Sequence, residues 1–315
     1  MEIFIQGIFL VVGFVMLIKG ADWFVYGASN IADRFGIPQI VIGLTIVAMG
    51  TSAPEAAVSI SSALKGSAGI TIGNVVGSNI LNILVILGIT SLVRNISVKE
   101  KTIRYEIPFM IIISVMLTVL GLFDNEVSRL DGGILWGCMV LYLIYLLKTA
   151  KAGKEAEPHE IKEKKKSKTN GCRLIVSVIC GVILIVWGSD VAVNSASEIA
   201  RFFGLSERII GLTIVAFGTS LPELVTSITA AMKGNADIAV GNVVGSNIFN
   251  ILFVVGTTAL ISPVVYSSSF LIDSMTMIAS TILMMVCVIK SKKLNKVTGV
   301  VMACGYVVYF MYLVI

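Results

Sequence analysis

Two glutamates lie inside apolar stretches of this sequence, each at the end of a six-residue G-T-S-x-P-E motif. The first motif covers residues 50–55 and ends in Glu55, and the second covers residues 218–223 and ends in Glu223. Each motif combines backbone carbonyls, two hydroxyl groups and a carboxylate. Hard cations prefer such oxygen ligands, and Ca²⁺ takes roughly six to eight of them. The two motifs therefore predict a cation site built from oxygen atoms.

The proline of the motif explains how these oxygens become available inside an apolar segment. Pro54 has no N–H, so the carbonyl of Gly50 cannot be paired and the helix is expected to break between Gly50 and Ser52. Thr51 or Ser52 can cap the helix that follows, and Glu55 then lies at its positive N-terminal end. The second motif repeats this arrangement 168 residues later.

A second motif, G-N-V-V-G-S-N-I, follows each of the first. Three polar residues in and directly after each copy are spaced by four and share one helix face, which offers amide and hydroxyl oxygens. These residues are Asn74, Ser78 and Asn82 in the first copy and Asn242, Ser246 and Asn250 in the second. The alternative for this face is hydrogen bonding between helices without a bound ion. The G-x-x-x-G spacing within the motif allows close helix packing.

The composition requires these motifs to be positioned by membrane-spanning helices. Hydrophobic residues make up 56% of the 315 residues and charged residues only 14%. Apolar windows of about 20 residues, long enough to cross a bilayer, are predicted at 3–28, 38–64, 69–93, 106–122, 130–148, 172–197, 207–232, 237–262, 269–290 and 296–315. The alternating pattern of a membrane β-barrel does not appear. The sequence predicts an all-α membrane protein with ten spans.

The chain is a duplicated unit. Residues 43–60 match residues 211–228 at 13 of 18 positions, and residues 73–84 match residues 241–252 at 11 of 12. We predict a first five-helix repeat at 1–149, a charged linker at 150–170 and a second repeat at 171–315. Because each repeat has an odd number of spans, the second enters the membrane from the opposite side. The fold is thus predicted to contain two inverted-topology repeats of five helices, with helices 2 and 7 broken near the membrane midplane.

The distribution of basic residues predicts the orientation. If the linker is cytoplasmic, nineteen of the 24 Lys and Arg residues lie on the cytoplasmic side and four lie outside. The positive-inside rule then places both termini outside, in a multi-pass protein of the cell membrane. The net charge of +5 is explained by this topology, so nucleic-acid binding is not expected and the bilayer is the expected surrounding.

The doubled motifs, G-T-S-x-P-E followed by G-N-V-V-G-S-N-I-x-N-I, resemble the two alpha repeats of the calcium/cation antiporter superfamily. The resemblance is specifically to its sodium/calcium exchangers of the prokaryotic type, and it covers essentially the whole chain. It implies four ion sites formed by the second, third, seventh and eighth helices. The implied calcium ligands are the carboxylates of Glu55 and Glu223 and the main-chain carbonyls of Thr51 and Thr219. The implied sodium ligands are Ser52, Ser78, Thr219, Ser220 and Ser246 with the carbonyls of Ala48 and Ala216, while Asn82 and Asn250 line the middle.

The resemblance implies a secondary active antiporter that exchanges Na⁺ for Ca²⁺ by alternating access. Net charge moves if more than two Na⁺ replace each Ca²⁺, and we expect three. Potassium-dependent relatives carry an aspartate where this chain has Asn250, so potassium is not expected to be required. Proton-coupled relatives typically carry a glutamate where this chain has Gly77 and Gly245. Proton/calcium or other cation/calcium exchange is therefore the weaker alternative.

Two other classes of protein compete with an exchanger. A passive cation channel would use the same oxygens to line a pore. An intramembrane enzyme would need a nucleophile with a nearby base, for which Ser52 with Glu55 and Ser220 with Glu223 are the candidate pairs. Two inverted copies that meet at one depth fit a symmetric cation cage better than a single scissile bond, so no enzyme is expected. Na⁺ and Ca²⁺ are expected as substrates, and no cofactor is expected. The sequence leaves the oligomeric state open and is compatible with a monomer.

Overall fold

The computed structural model describes residues 2–64, 68, 70–155, 171–204 and 216–314. The first half begins with one long helix and continues with shorter helices that join into bent or continuous rods. Its helices are α1 (Glu2–Phe35), α2 (Gln39–Ile42), α3 (Ala48–Thr51), α4 (Ala53–Leu64), α5 (Ile70–Leu81), α6 (Gly88–Val93), α7 (Ile107–Asp124) and α8 (Arg129–Glu155). Three π-helical segments, Gly43–Val47, Asn82–Leu87 and Thr102–Glu106, connect them.

The described helices of the second half follow α1 and α3–α8 of the first half in order. Its helices are α9 (Gly171–Phe202), α10 (Ala216–Thr219), α11 (Leu221–Met232), α12 (Ala236–Phe249), α13 (Gly256–Ile261), α14 (Phe270–Ile289) and α15 (Lys296–Val314). A π-helical segment at Asn250–Val255 joins α12 to α13 at the position that corresponds to Asn82–Leu87 in the first half. Such wide turns occur frequently at functional sites.

The number of spans agrees only in part with the sequence prediction. Eight helices in the described part of the chain are long and apolar enough to cross a membrane, and the bent pair Gln39–Thr51 with Ala53–Leu64 makes nine. The predicted span at 207–232 includes residues 207–215, which lie outside the described residues, and its described remainder is α10 and α11. The protein is therefore an all-helical membrane protein, and ten spans stay a prediction.

Two continuous rods form the centre of the molecule. In the rod Ile70–Val93, 83% of an 18-residue apolar stretch is buried, and in the rod Ala236–Ile261 the buried share is 94%. The corresponding stretch of α1 is only 17% buried. These central rods carry the two G-N-V-V-G-S-N-I motifs. The fold thus buries the polar faces of the motifs among protein atoms instead of exposing them to lipid.

Helices α1 and α9 pack against each other through glycines repeated every seven residues. A Cβ at Gly13 would lie 2.7 Å from the backbone nitrogen of Ala192, and a Cβ at Gly20 would lie 2.9 Å from the carbonyl of Gly181. A Cβ at Gly188 would in turn lie 2.9 Å from the carbonyl of Gly13. Only glycine allows the two backbones to approach this closely.

Short antiparallel ladders connect the two halves, a feature that the all-α prediction did not include. Strand β1 (Ile96–Ser97) pairs with β4 (Lys293–Leu294), and β2 (Glu126–Val127) pairs with β3 (Val264–Val265). Beside the first ladder, Lys292 binds Glu100 at 2.5 Å, and this contact together with Arg104 lowers the pKa of Glu100 below its ordinary value.

Helix α8 continues through Glu155, so it includes the first residues of the predicted linker 150–170, whose boundaries stay a prediction. The remainder of the predicted linker, residues 156–170, lies outside the described residues.

Candidate functional site

The predicted break in the second span occurs at Ser52. Helix α3 ends at Thr51 and α4 begins at Ala53, and the rods on either side meet at an angle of 50°. Ser52 has φ −82° and ψ 9°, which is outside regular helix geometry. In the second half, Ser220 occupies the same position between α10 and α11, with φ −91° and ψ 3°. Proline two residues further on accounts for both breaks, because it cannot donate to the preceding turn.

The serine at each break reaches the carboxylate of the opposite half. Ser52 Oγ donates to Glu223 Oε1 at 2.8 Å, and Ser220 Oγ donates to Glu55 Oε1 at 3.2 Å. The structure thus corrects the expectation that these hydroxyls cap their own helices, and Ser220 forms no side-chain cap bond. A hydroxyl forms a stronger hydrogen bond with a charged carboxylate than with a neutral group. The crossed bonds bring Glu55 and Glu223 together in one buried compartment, with no exposed surface on either side chain.

Four oxygen atoms in this region are buried without a hydrogen-bond partner in the described part of the chain. They are Oε2 of Glu55, Oε2 of Glu223, Oδ1 of Asn82 and Oδ1 of Asn250. A buried polar atom without a partner costs free energy. Because these four atoms belong to predicted ligand residues from both halves, a cation that contacts them would remove this cost.

The amide nitrogens of the same two asparagines are held by a second pair, Asn79 and Asn247. Asn82 Nδ2 donates to Asn247 Oδ1 at 2.9 Å, and Asn250 Nδ2 donates to Asn79 Oδ1 at 3.2 Å. Asn79 and Asn247 each donate to the backbone carbonyl of the other at 3.2 Å. This pair fixes the crossing of the two central rods and directs the oxygens of Asn82 and Asn250 away from it.

Sequence reasoning missed Asn79 and Asn247. Both residues are identical in the two copies of the G-S-N-I motif, which is a signal that the repeat comparison already contained. The prediction instead followed the i, i+4 face of Asn74, Ser78 and Asn82, to which Asn79 does not belong.

Asn74 and Asn242 hold the broken helices in place. Asn74 Nδ2 donates to the carbonyl of Glu55 at 3.1 Å, and Asn242 Nδ2 donates to the carbonyl of Glu223 at 3.3 Å. Thr51 Oγ1 also donates to Asn242 Oδ1 at 2.9 Å. The amide nitrogens of both asparagines thus bind the backbone that carries each glutamate, and the contribution of their oxygens to an ion site stays a prediction.

Among the remaining predicted ligands, Ser246 contacts a carboxylate. Ser246 Oγ lies 3.3 Å from Glu223 Oε1 and 3.4 Å from the carbonyl of Ala48, and Ser78 is buried on the corresponding rod. Thr219 is the last residue of α10, next to Ser220, and is half-buried. Ala216 begins α10, directly after the residues that lie outside the described part of the chain.

The electrostatics of the site favour a cation. Glu55 and Glu223 are both fully buried, and none of the ion pairs formed among the described residues includes either of them. Two ionised carboxylates in one buried compartment repel each other, and each also loses its hydration. A cation bound among these oxygens would offset both the repulsion between the carboxylates and their loss of hydration.

The comparisons with known proteins identify the family of the chain. The family model described as sodium/calcium exchanger protein matches residues 5–148 and 173–315. The chain therefore belongs to the sodium/calcium exchanger family, a family of membrane transporters. Each of the two matched segments contains one G-T-S-x-P-E motif and one G-N-V-V-G-S-N-I motif.

Several curated relatives are similar to the chain over nearly its whole length. The putative antiporter CaxA of Alkalimonas amylolytica is 40% identical over 308 residues, which cover 96% of both chains. The inner membrane protein YrbG of Escherichia coli (strain K12) is 36% identical, covering 95% of this chain and 94% of the relative. The sodium/calcium exchanger MaX1 of Methanosarcina acetivorans is 32% identical, with 96% and 97% covered.

A solved structure of the sodium-calcium exchanger NCX_Mj, soaked without Na⁺ and Ca²⁺, has the same fold. Its TM-score is 0.84 at 30% sequence identity, and the match covers 98% of this chain and 99% of the other. This likeness confirms the expectation of a prokaryotic-type sodium/calcium exchanger fold.

Proposed function

We propose that this protein is a secondary active antiporter that exchanges Na⁺ for Ca²⁺ across the cell membrane. The observation that carries the proposal is the crossed arrangement in which Ser52 binds Glu223 and Ser220 binds Glu55. It supports a single central site to which both halves contribute a carboxylate. The names of the relatives CaxA and MaX1 support the same function.

The proposed calcium site consists of Glu55 and Glu223 with the carbonyls of Thr51 and Thr219. The proposed sodium sites use Ser52, Ser78, Thr219, Ser220 and Ser246 with the carbonyls of Ala48 and Ala216, and Asn82 and Asn250 line the space between. The unpartnered oxygens of Asn82 and Asn250 support a role of these amides in contacting ions.

Coupling follows from the charge of the two carboxylates. When both are ionised, one Ca²⁺ or several Na⁺ can neutralise them, whereas the unoccupied site would bury two like charges. A transporter of this kind switches between its outward-open and inward-open states only when Na⁺ or Ca²⁺ is bound. Transport of one ion then requires transport of the other, which is obligatory exchange. Three Na⁺ for each Ca²⁺ would move one net charge per cycle.

The proposed architecture has ten spans in two inverted repeats, at residues 1–149 and 171–315, with a cytoplasmic linker at 150–170 and both termini outside. Alternating access would move the α1 and α9 pair relative to the central rods. The glycine packing between Gly13, Gly20 and Gly188 supports movement of these two helices as one unit.

Reconstitution into vesicles tests the proposed function. We expect vesicles loaded with Na⁺ to take up Ca²⁺ when diluted into Na⁺-free buffer, with rates that K⁺ does not change. Because net positive charge leaves with Na⁺, an inside-positive potential should accelerate uptake. Vesicles without protein and vesicles with equal Na⁺ on both sides are the controls.

Each alternative predicts a different result in the same experiment. Calcium uptake driven by a proton gradient but not by a Na⁺ gradient would assign the protein to proton/calcium exchange. Uptake without any counter-ion gradient would indicate a channel. Uptake that depends on Na⁺ but not on membrane potential would refute electrogenic transport.

A further inference from the structure

A separate cavity of about 250 Å³ lies between α7 and α8, at the start of α7. Its lining residues are aromatic, apart from one carboxylate and one leucine: Tyr105, Glu106, Phe109, Leu141, Tyr142 and Tyr145. None of them belongs to the G-T-S-x-P-E or G-N-V-V-G-S-N-I motifs. The proposed exchange mechanism therefore does not account for a carboxylate at this position.

Glu106 is buried in this cavity with one oxygen left unpaired. Its side chain is 3% exposed, and Oε1 accepts a hydrogen bond from the hydroxyl of Tyr145 at 2.6 Å. Oε2 has no partner in the described part of the chain, and neither has the buried hydroxyl of Tyr142. The nearby Arg104 is engaged with Glu100 at 2.8 Å. The cavity thus contains a buried carboxylate that no basic side chain among the described residues is seen to neutralise.

Four rings form a continuous aromatic wall around this carboxylate. Phe109 stacks on Tyr142 with centroids 5.3 Å apart, Tyr142 lies 6.4 Å from Tyr145, and Tyr145 lies 6.4 Å from Tyr105. Aromatic faces attract cations, and cages of such faces recognise organic ammonium groups. A carboxylate within an aromatic wall is therefore suited to a substituted ammonium ion.

The same chemistry disfavours a metal ion. Glu106 Oε2 and the hydroxyls of Tyr142 and Tyr145 supply three oxygens, well below the roughly six to eight that Ca²⁺ takes. An organic ammonium needs fewer hydrogen bonds and gains from the ring faces, so the cavity favours it over Ca²⁺ or Na⁺.

We propose that this cavity binds the ammonium headgroup of a phosphatidylethanolamine lipid. Leu141 is 67% exposed and Tyr105 is 56% exposed, and in a membrane protein such apolar surface on the outside of the helix bundle faces lipid. The exposed Lys148 follows Tyr145 by one helical turn and is available for the lipid phosphate. Ammonium, phosphate and acyl chains thus each have a complementary surface.

The second half offers a matched control. Tyr309 donates to Asp273 Oδ1 at 2.9 Å between α15 and α14, which is the same acid and tyrosine pairing between the last two helices. Asp273 is only half-buried, and neither of its oxygens is among the buried unpaired atoms. Lipid binding at Glu106 should therefore have no counterpart at Asp273.

Native mass spectrometry of the purified protein, with added phosphatidylethanolamine or phosphatidylglycerol of the same chains, tests this proposal. We expect Glu106→Gln to lower the fraction bound to phosphatidylethanolamine about tenfold, the effect of one lost charge-assisted contact. Asp273→Asn should leave it unchanged, and phosphatidylglycerol binding should be the same in all three proteins. Tyr142→Phe, which keeps the ring and removes the hydroxyl, should lower phosphatidylethanolamine binding several-fold.

Thermal unfolding in lipid-free detergent checks that each variant is folded, and Tyr142→Phe alone carries the test if Glu106→Gln does not fold. Equal phosphatidylethanolamine binding by the wild type and by the folded variants would overturn the proposal. Displacement of the lipid by millimolar free ethanolamine would also overturn it, since the ligand would then be a soluble ammonium ion. The test measures lipid binding and does not depend on ion transport.

Discussion

Replacement of either Glu55 or Glu223 by glutamine is expected to lower Na⁺-dependent calcium uptake by about a hundredfold or more. Each glutamine keeps an oxygen but removes one of the two negative charges that would neutralise Ca²⁺. Removal of one partner from a buried charge pair costs about 3–5 kcal/mol, and about 2.7 kcal/mol corresponds to a hundredfold loss of affinity. Since each carboxylate accepts a hydrogen bond from the serine of the opposite half, the two variants should be similarly impaired.

Initial rates of calcium uptake into Na⁺-loaded vesicles measure this effect. Asp273→Asn is the matched control, because it neutralises a carboxylate in a membrane-spanning helix outside the proposed ion site. The control should transport at the wild-type rate. If Glu55→Gln or Glu223→Gln kept more than about a tenth of the wild-type rate, the assignment of the calcium site would be wrong.

Substitution of Gly241 by valine should have the second largest effect. Helix α12 crosses the rod Gln39–Thr51 at this point, and a Cβ at Gly241 would lie 2.9 Å from Gly43 Cα and 2.9 Å from the carbonyl of Ile40. Both contacts are with backbone, which cannot rotate away as a flexible side chain could. Overpacking of this kind costs about 1–3 kcal/mol. The crossing also positions Asn242 against Thr51, so calcium uptake should fall with stability.

Thermal unfolding of the purified protein together with vesicle uptake measures both consequences. Gly137→Val is the control, since Gly137 is an exposed glycine of α8 where an added Cβ would meet no described atom within 4 Å. We expect the unfolding temperature to fall by several degrees in Gly241→Val and to remain unchanged in Gly137→Val. Equal unfolding temperatures for both variants would show that the helices can separate without cost.

The parts of the site that depend on covalent geometry could be predicted from the sequence. The break at Ser52 follows from Pro54, because a missing N–H acts locally and in any surrounding. The close approach of α12 to the rod at Gly43 is likewise anticipated by the glycine spacing of the second motif. The burial of Glu55 and Glu223 could be predicted because both lie within apolar segments that are repeated.

The hydrogen bonds between side chains of the two halves could not be predicted in the same way. Either Thr51 or Ser52 was expected to cap the following helix, but the Ser52 hydroxyl binds Glu223 because the opposite carboxylate lies close to the break. The sequence contains no information on that distance until the two halves are packed together. The same applies to the reciprocal bonds of Asn79 and Asn247, which depend on the crossing of the two central rods.

The two central rods also depart from regular α-helical geometry. Asn82 and Asn250 each begin a π-helical segment, and the wider turn changes the direction of the side chains that follow. A pattern analysis that assumes 3.6 residues per turn cannot anticipate this change. Glu106 was overlooked for a different reason: it lies at the predicted start of its span, where a charged residue needs no special explanation.

The most direct test of the account is the position of a bound calcium ion. Crystals of the purified protein soaked in Ca²⁺ without Na⁺ should give one strong anomalous difference peak between the two broken helices. We predict that a carboxylate oxygen from each of Glu55 and Glu223 lies about 2.3–2.6 Å from that peak. A calcium ion bound by only one of these carboxylates, or bound elsewhere in the molecule, would contradict the shared site on which the proposed exchange depends.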